Sequence, residues 1–313
     1  MKTKLSHFTR WMLALAGALA IASFTETRAH AADGQAVFKT PQEAAAALAA
    51  AARNDDAKTA MQILGPNSRE VIASGDEVAD KNAAQNFARS YEQMHRLAYG
   101  EKGQVILYLG AENWPFPIPI VERKGGWIFD TTSGAKELLY RRIGTNELFT
   151  IATLRELAAA EHEYQNENSD HQFARRLMSE SGTHDGLYWP VSSGEKPSPI
   201  GPLVASAAQE GYPTGIKGPS PFHGYFYKIL TSQGANATGG QKDYMVDGKL
   251  TGGFAILAYP ASYRSSGVMT FLVGQNGLIV QKDLGPDTGK MAGAMSAYNP
   301  DKSWTEAKEY ANQ

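Results

Sequence analysis

Between residues 223 and 283 the hydrophobic pattern of this chain has a period of two, and no other feature constrains its architecture as tightly. The segments HGYFYKILTSQG, KDYMVDGKLTGGFAILAYPA and SGVMTFLVGQNGLIVQKD read as five strands of a meander, with Asn276-Gly277 as the clearest hairpin signal. In YFYKIL, Tyr225, Tyr227 and Ile229 alternate with Phe226, Lys228 and Leu230, so one face can be covered while the other is partly wet. The cover is at hand in IGTNELFTIATLRELAAAEHEY, residues 143–164. At about 100° per residue, Ile151, Leu154, Leu157 and Tyr164 share one broad apolar face of a helix that Thr145 or Asn146 would cap.

Glu161 disturbs that face, because it projects only about 20° from Leu154 and a carboxylate there is costly without a partner. It either acts as an acid or cation-binding group with a raised pKa, or serves as a structural buried carboxylate that accepts hydrogen bonds. The structural use is preferred, with a partner expected on the sheet between Tyr225 and Lys282. The adjacent His162, with His171 and His184 downstream, also raises the question of a metal. Neighbours on a helix diverge by about 100°, however, and no His-x3-His, His-Glu-x-x-His or Asp-x-Asp-x-Asp-Gly pattern occurs. No metal and no cofactor are expected.

Ahead of this helix lies a second unit of helices and strands. Thr40, Pro41 and Glu43 form a capping box that starts a helix running to about Arg53, and Asn54-Asp55-Asp56 stops it. Further helices are expected at 57–64, 68–73, 77–97 and 135–142, the last ending near Gly144. Strands are expected in QVILYLG and in FPIPIVERKGGWIFDT, with the prolines of WPFPIP confined to an edge or lead-in. The order loosely resembles the cone-shaped fold of nuclear-transport-factor-like and cystatin-like domains. The fold class is therefore α+β in two domains: 32–142, helices plus a small antiparallel sheet, and 143–313, a long helix packed on an antiparallel meander with a loop-rich insertion at 167–220.

Residues 1–31 read as a signal peptide: Lys2, Lys4 and Arg10 precede the apolar run WMLALAGALAIASF, and Ala29-His30-Ala31 offers small residues at a cleavage site. The apolar run is shorter than the roughly 20 residues a membrane span needs. Its removal leaves 26 Lys+Arg against 31 Asp+Glu, a formal charge of −5, with no basic block to favour nucleic acid or anionic membranes. A periplasmic or secreted location follows, with no membrane span after cleavage. There is no cysteine, so stability rests on packed cores and thiol chemistry is excluded. Gly-x-Ser-x-Gly and Ser-x-x-Lys/Lys-Thr-Gly signatures are absent as well.

The ordered blocks ENWPFPIPIV, IGTNEL, HDGLYWP, SPIGPLVA, HGYFYKILTSQG, GGFAILAYP and SGVMTFLVGQNGLIVQKDLGPDT resemble the secreted bacterial family catalogued as domain of unknown function twenty-nine-fifty, from about residue 38 to 304. That resemblance implies an exported protein and assigns no activity. From Asn146 onward the chain also resembles the soluble part of pseudopilins, which implies a pilin-like domain, although here the helix is internal. The expected function is non-catalytic binding or assembly with an unknown protein partner in the cell envelope. Two alternatives are kept. The first is a small apolar ligand held by Tyr108, Trp114, Phe116 and Trp127; the second is a hydrolase with a non-local site in 167–220. Tyr188, Trp189, His223 and Tyr225 are the candidate partner patch.

Overall fold

The computed structural model describes residues 29–30, 34–100, 102–214 and 219–307. Apart from Ala29–His30, the expected leader lies outside the described residues. The first helix, α1 (Pro41–Arg53), starts because its first-turn amides are satisfied locally. Thr40 Oγ1 accepts the Glu43 N–H at 3.1 Å, and the Glu43 carboxylate accepts the Lys39 N–H at 3.1 Å. Such a cap stabilises by about 1 kcal/mol. Asp56 caps α2 (Ala57–Leu64) by accepting the Thr59 N–H, and α3 (Ser68–Ile72) and α4 (Glu77–Gln93) follow.

The helix expected over 77–97 stops four residues early. His95–Tyr99 is a strand instead, paired antiparallel with Val105–Leu109 so that Leu97 lies opposite Leu107. Pairing across the Gly100–Gln104 turn overrides the helical pattern, because isolated helix propensity is weak beside a hydrophobic ladder. Ile120–Arg123 and Gly126–Phe129 complete the sheet as a hairpin, and Trp114–Pro115 adds a two-residue edge to Val105–Leu109. Helices α1 and α2 pack on this sheet around Ile63, Leu107, Ile118, Ile120 and Phe129, all essentially excluded from solvent.

The two helices expected at 135–142 and from 146 are one, α5 (Thr131–Glu167), 37 residues and about 55 Å long. Gly144 does not end it, and Asn146 does not cap it: its Nδ2 donates to the Ser266 carbonyl at 2.9 Å. A glycine inside a helix costs about 1 kcal/mol. Packing on both sides outweighs that, since Leu138 joins the first core and Ile151, Leu154 and Leu157 belong to a second. The expected division at residue 143 thus falls inside α5. Near its start the helix passes the segment between Trp114–Pro115 and Ile120–Arg123 so closely that a Cβ on Gly134 would lie 2.3 Å from the Pro117 carbonyl oxygen.

The C-terminal half of α5 covers a five-stranded antiparallel sheet in the order Tyr225–Leu230, Ala255–Pro260, Met269–Gly274, Ile279–Asp283, Thr305–Glu306. Four of the five expected meander strands and the Asn276-Gly277 turn are present, with Gly277 at φ +70°. The segment KDYMV, however, forms only the two-residue strands Lys242–Asp243 and Met245–Val246 outside this sheet, whose fifth strand is Thr305–Glu306. Ala255–Pro260 is buried at every position except Tyr259, and α5 and α7 (Thr288–Ala294) both contact it. The loop-rich stretch holds short parallel strands at Arg176–Met178 and Gly186–Tyr188 and the helix α6 (Gly201–Gln209). The architecture is α+β, with open antiparallel sheets. Among the described residues no helix is long and apolar enough to cross a membrane.

One buried carboxylate ties the two halves together. Asp76 Oδ1 caps α4 by accepting the Ala79 N–H at 3.0 Å, while Oδ2 accepts the Tyr212 hydroxyl at 2.9 Å and the Gly224 N–H at 2.8 Å. Three donors on one buried carboxylate offset its desolvation.

Candidate functional site

Alanine supplies only a methyl group, and it dominates α1, AAAALAAAA, and recurs in α4 at Ala79, Ala83, Ala84 and Ala88. Of α4, only Ala88 is fully buried. Small side chains let α1 and α4 approach each other closely, and Ala51, Ala52, Ala79, Ala83 and Ala84 leave room at the margin of that contact that larger side chains would fill. The result is a cavity of about 1050 Å³ between α1–α4, the sheet edge and the first half of α5. Leu48, Leu64, Phe87, Leu109 and Leu138 form its apolar walls.

Two aromatic residues expected to bind ligand are among its walls. Phe116 is 6% exposed and makes an edge contact with Phe87 at 5.2 Å, and Trp114, 37% exposed, stands 6.2 Å from Phe116. The Arg141 guanidinium lies 5.5 Å from the Trp114 ring centre, within cation–π range. The other two residues are elsewhere. In Val105–Leu109 burial alternates, so Leu107 and Leu109 face inward and Tyr108 faces out, where the Arg96 guanidinium covers it at 3.9 Å. Trp127 meets Tyr99 edge-on at 6.4 Å and exchanges backbone hydrogen bonds with Phe38. Phe87 and Leu138 are the residues the sequence reading missed; α4's weak apolar stripe was the available signal.

Charged groups at the cavity mouth are largely occupied by the protein. Arg142 donates to the Val71 carbonyl at 2.8 Å, to the Ser265 carbonyl and hydroxyl at 2.9 Å each, and to the Glu70 carbonyl. Burial lowers its pKa, and Asp80 and Glu70 oppose that. Asp80 accepts the Ser74 N–H at 2.8 Å; burial raises its pKa against the hydrogen bonds from Ser74 and the charge of Arg142. Lys81 faces Asp55 at 3.9 Å.

Residues 35–307 match the family described as Protein of unknown function (DUF2950). The chain belongs to that family. No curated protein and no solved structure matches this DUF2950 chain, so the pseudopilin, nuclear-transport-factor-like and cystatin-like resemblances gain no support from known proteins.

The remaining candidates in this DUF2950 protein do not converge on one place. Glu161 is fully buried, and its partner is not on the sheet: Oε2 accepts the Ala174 N–H at 2.8 Å, in the segment that follows α5. Oε1 has no partner. Burial therefore raises the pKa to about 8, with the Ala174 hydrogen bond opposing. His162 lies against Phe173 and Phe254 and its Nε2 is 3.2 Å from the Gln275 carbonyl, whereas His184 stacks on Trp189 at 4.4 Å. His171 is exposed in a left-handed turn at φ +50°. Among the described residues no group of three or more His, Asp or Glu side chains is placed to hold a metal ion.

Nor do Tyr188, Trp189, His223 and Tyr225 form one exposed patch. Tyr225 is fully buried and its hydroxyl donates to the Met269 carbonyl at 3.0 Å. Trp189 packs edge-on to Tyr164, whereas His223 packs on Phe149 at 3.7 Å. Positions 149 and 164 are about 22 Å apart along α5. The aromatics anchor separate loops to that helix.

Proposed function

We propose that this chain is an exported, non-catalytic binding protein of the cell envelope that holds a small, neutral apolar ligand in the cavity between α1–α4 and α5. The cavity itself carries this reading: about 1050 Å³, walled by alanine, leucine and aromatic side chains. That volume lies at the upper end of small-molecule sites, which are mostly apolar with a few polar groups at the edge. The occupied state of Arg142 and Asp80 favours an uncharged occupant over an ionic one. Export rests on the leader pattern of residues 1–31 and predicts a mature N-terminus at Ala32 on sequencing of the envelope-fraction protein.

The test is fluorescence titration with the neutral probe N-phenyl-1-naphthylamine. Wild type should bind it with an emission increase. Ala84→Trp, which fills the cavity from α4, should lose that binding while keeping a cooperative melt. No binding by wild type, or equal binding by both proteins, would refute the assignment.

A further inference from the structure

A second cavity, of about 410 Å³, lies in the C-terminal half between α6, α5, the strand Arg176–Met178 and the outer edge strand Tyr225–Leu230. Helix α6, GPLVASAAQ, is apolar along most of its length, yet none of its residues is fully buried. Leu203 and Val204 pack against the C-terminal core on one side and line the cavity on the other, together with Leu177, Phe226 and Tyr227. Apolar side chains that line a void forgo the contacts a filled site would supply.

The charge of this cavity differs from that of the N-terminal one. Its described walls contain no Asp or Glu, but they contain Arg175, Arg176 and Lys228. Two of these cations are engaged. Arg176 pairs with Asp185 at 3.0 Å and with Glu180, and Lys228 Nζ donates to the Met295 carbonyl at 2.8 Å and the Gly293 carbonyl at 3.2 Å. Arg175 is exposed at the cavity rim, where its charge acts on the Tyr164 hydroxyl without a side-chain hydrogen bond or ion pair to the described residues. A guanidinium at the mouth of an apolar cavity matches a carboxylate through two parallel N–H donors.

We propose that this second cavity is a binding site for a monoanionic amphiphile, an alkyl chain bearing one carboxylate, with the chain beneath α6 and the carboxylate on Arg175. This goes beyond the neutral-ligand reading of the N-terminal cavity and does not depend on it. The volume suits a single small ligand. Apolar walls supply most of the affinity, and the single charge selects the head group.

Isothermal titration of the mature chain with laurate, held below its aggregation range, and with dodecanol separates the two contributions. Laurate should bind wild type, and Arg175→Ala should weaken it about tenfold, the loss of one charge-assisted contact. Dodecanol affinity should be unchanged by Arg175→Ala. Val204→Trp should abolish laurate binding; Ala84→Trp, which fills the other cavity, should not. The proposal fails if wild type does not bind laurate, if laurate binds wild type and Arg175→Ala equally, or if Ala84→Trp, and not Val204→Trp, removes its binding. Arg175 is exposed, so its substitution keeps the test valid even if Val204→Trp does not fold.

Discussion

Replacing Glu161 with Gln should stabilise the protein at alkaline pH and leave it nearly unchanged in acid. The carboxyl ionises near 4.5 in the unfolded chain but near 8 in the folded one, chiefly because burial disfavours the charge. Below pH 4.5 both states bind the proton, so the group contributes no difference. Between 4.5 and about 8 the unfolded state has lost a proton that the folded state keeps, and stability falls by about 1.4 kcal/mol per pH unit. Across the window the loss reaches at most about 5 kcal/mol, and above pH 8 it is constant. Glutamine accepts the Ala174 N–H in the same way and cannot ionise, so this loss is absent from the variant. For a chain of this size the difference corresponds to roughly 10 °C in Tm. Thermal melts of both proteins from pH 4.5 to 9 should show curves that nearly coincide in acid and separate progressively as pH rises. A Tm difference that stays constant across that range would refute the buried, unpaired carboxylate as its cause.

Asp76→Ala removes the α4 cap and leaves the Tyr212 hydroxyl and Gly224 N–H without their acceptor, so urea denaturation should show a loss of about 3 kcal/mol. Gly134→Ala drives a methyl into the Pro117 carbonyl, and should lower Tm by an amount equivalent to about 1–3 kcal/mol; an unchanged Tm would mean that α5 can shift away from the Pro117–Ile118 backbone at no cost. Phe116→Ala should weaken the neutral probe in the N-terminal cavity by about tenfold in the same fluorescence titration, while Tyr108→Ala should not, because Tyr108 points away from the cavity.

What could be read from the sequence was what local chemistry decides. The Thr40–Glu43 cap sets the start of α1, and Asp56 and Gly65 bound α2, through contacts within a few residues. The burial of Glu161 follows from the 3.6-residue period alone. Its partner did not, because the Ala174 N–H belongs to a backbone in irregular conformation, and every residue but proline carries such a donor. The helix expected through residue 97 lost its end to a strand whose partner lies across a turn, and a window along the chain does not weigh that pairing. The inward face of Val105–Leu109 depends on which side the helices cover, so an aromatic at 108 looked like a wall residue when Leu109 is one. The alanines of α1 and α4 announced small side chains, but which of them line a cavity depends on how the helices pack on the sheet and on α5.

The claim that the N-terminal cavity holds an apolar ligand is tested most directly by photo-crosslinking. A neutral alkyl diazirine, equilibrated with the folded mature chain and irradiated, should label peptides from α1 and α4 and the segment containing Trp114 and Phe116. Competition by an excess of the unreactive parent alkane should remove that labelling. Labels confined to residues 223–283, or spread over the surface without competition, would contradict the account.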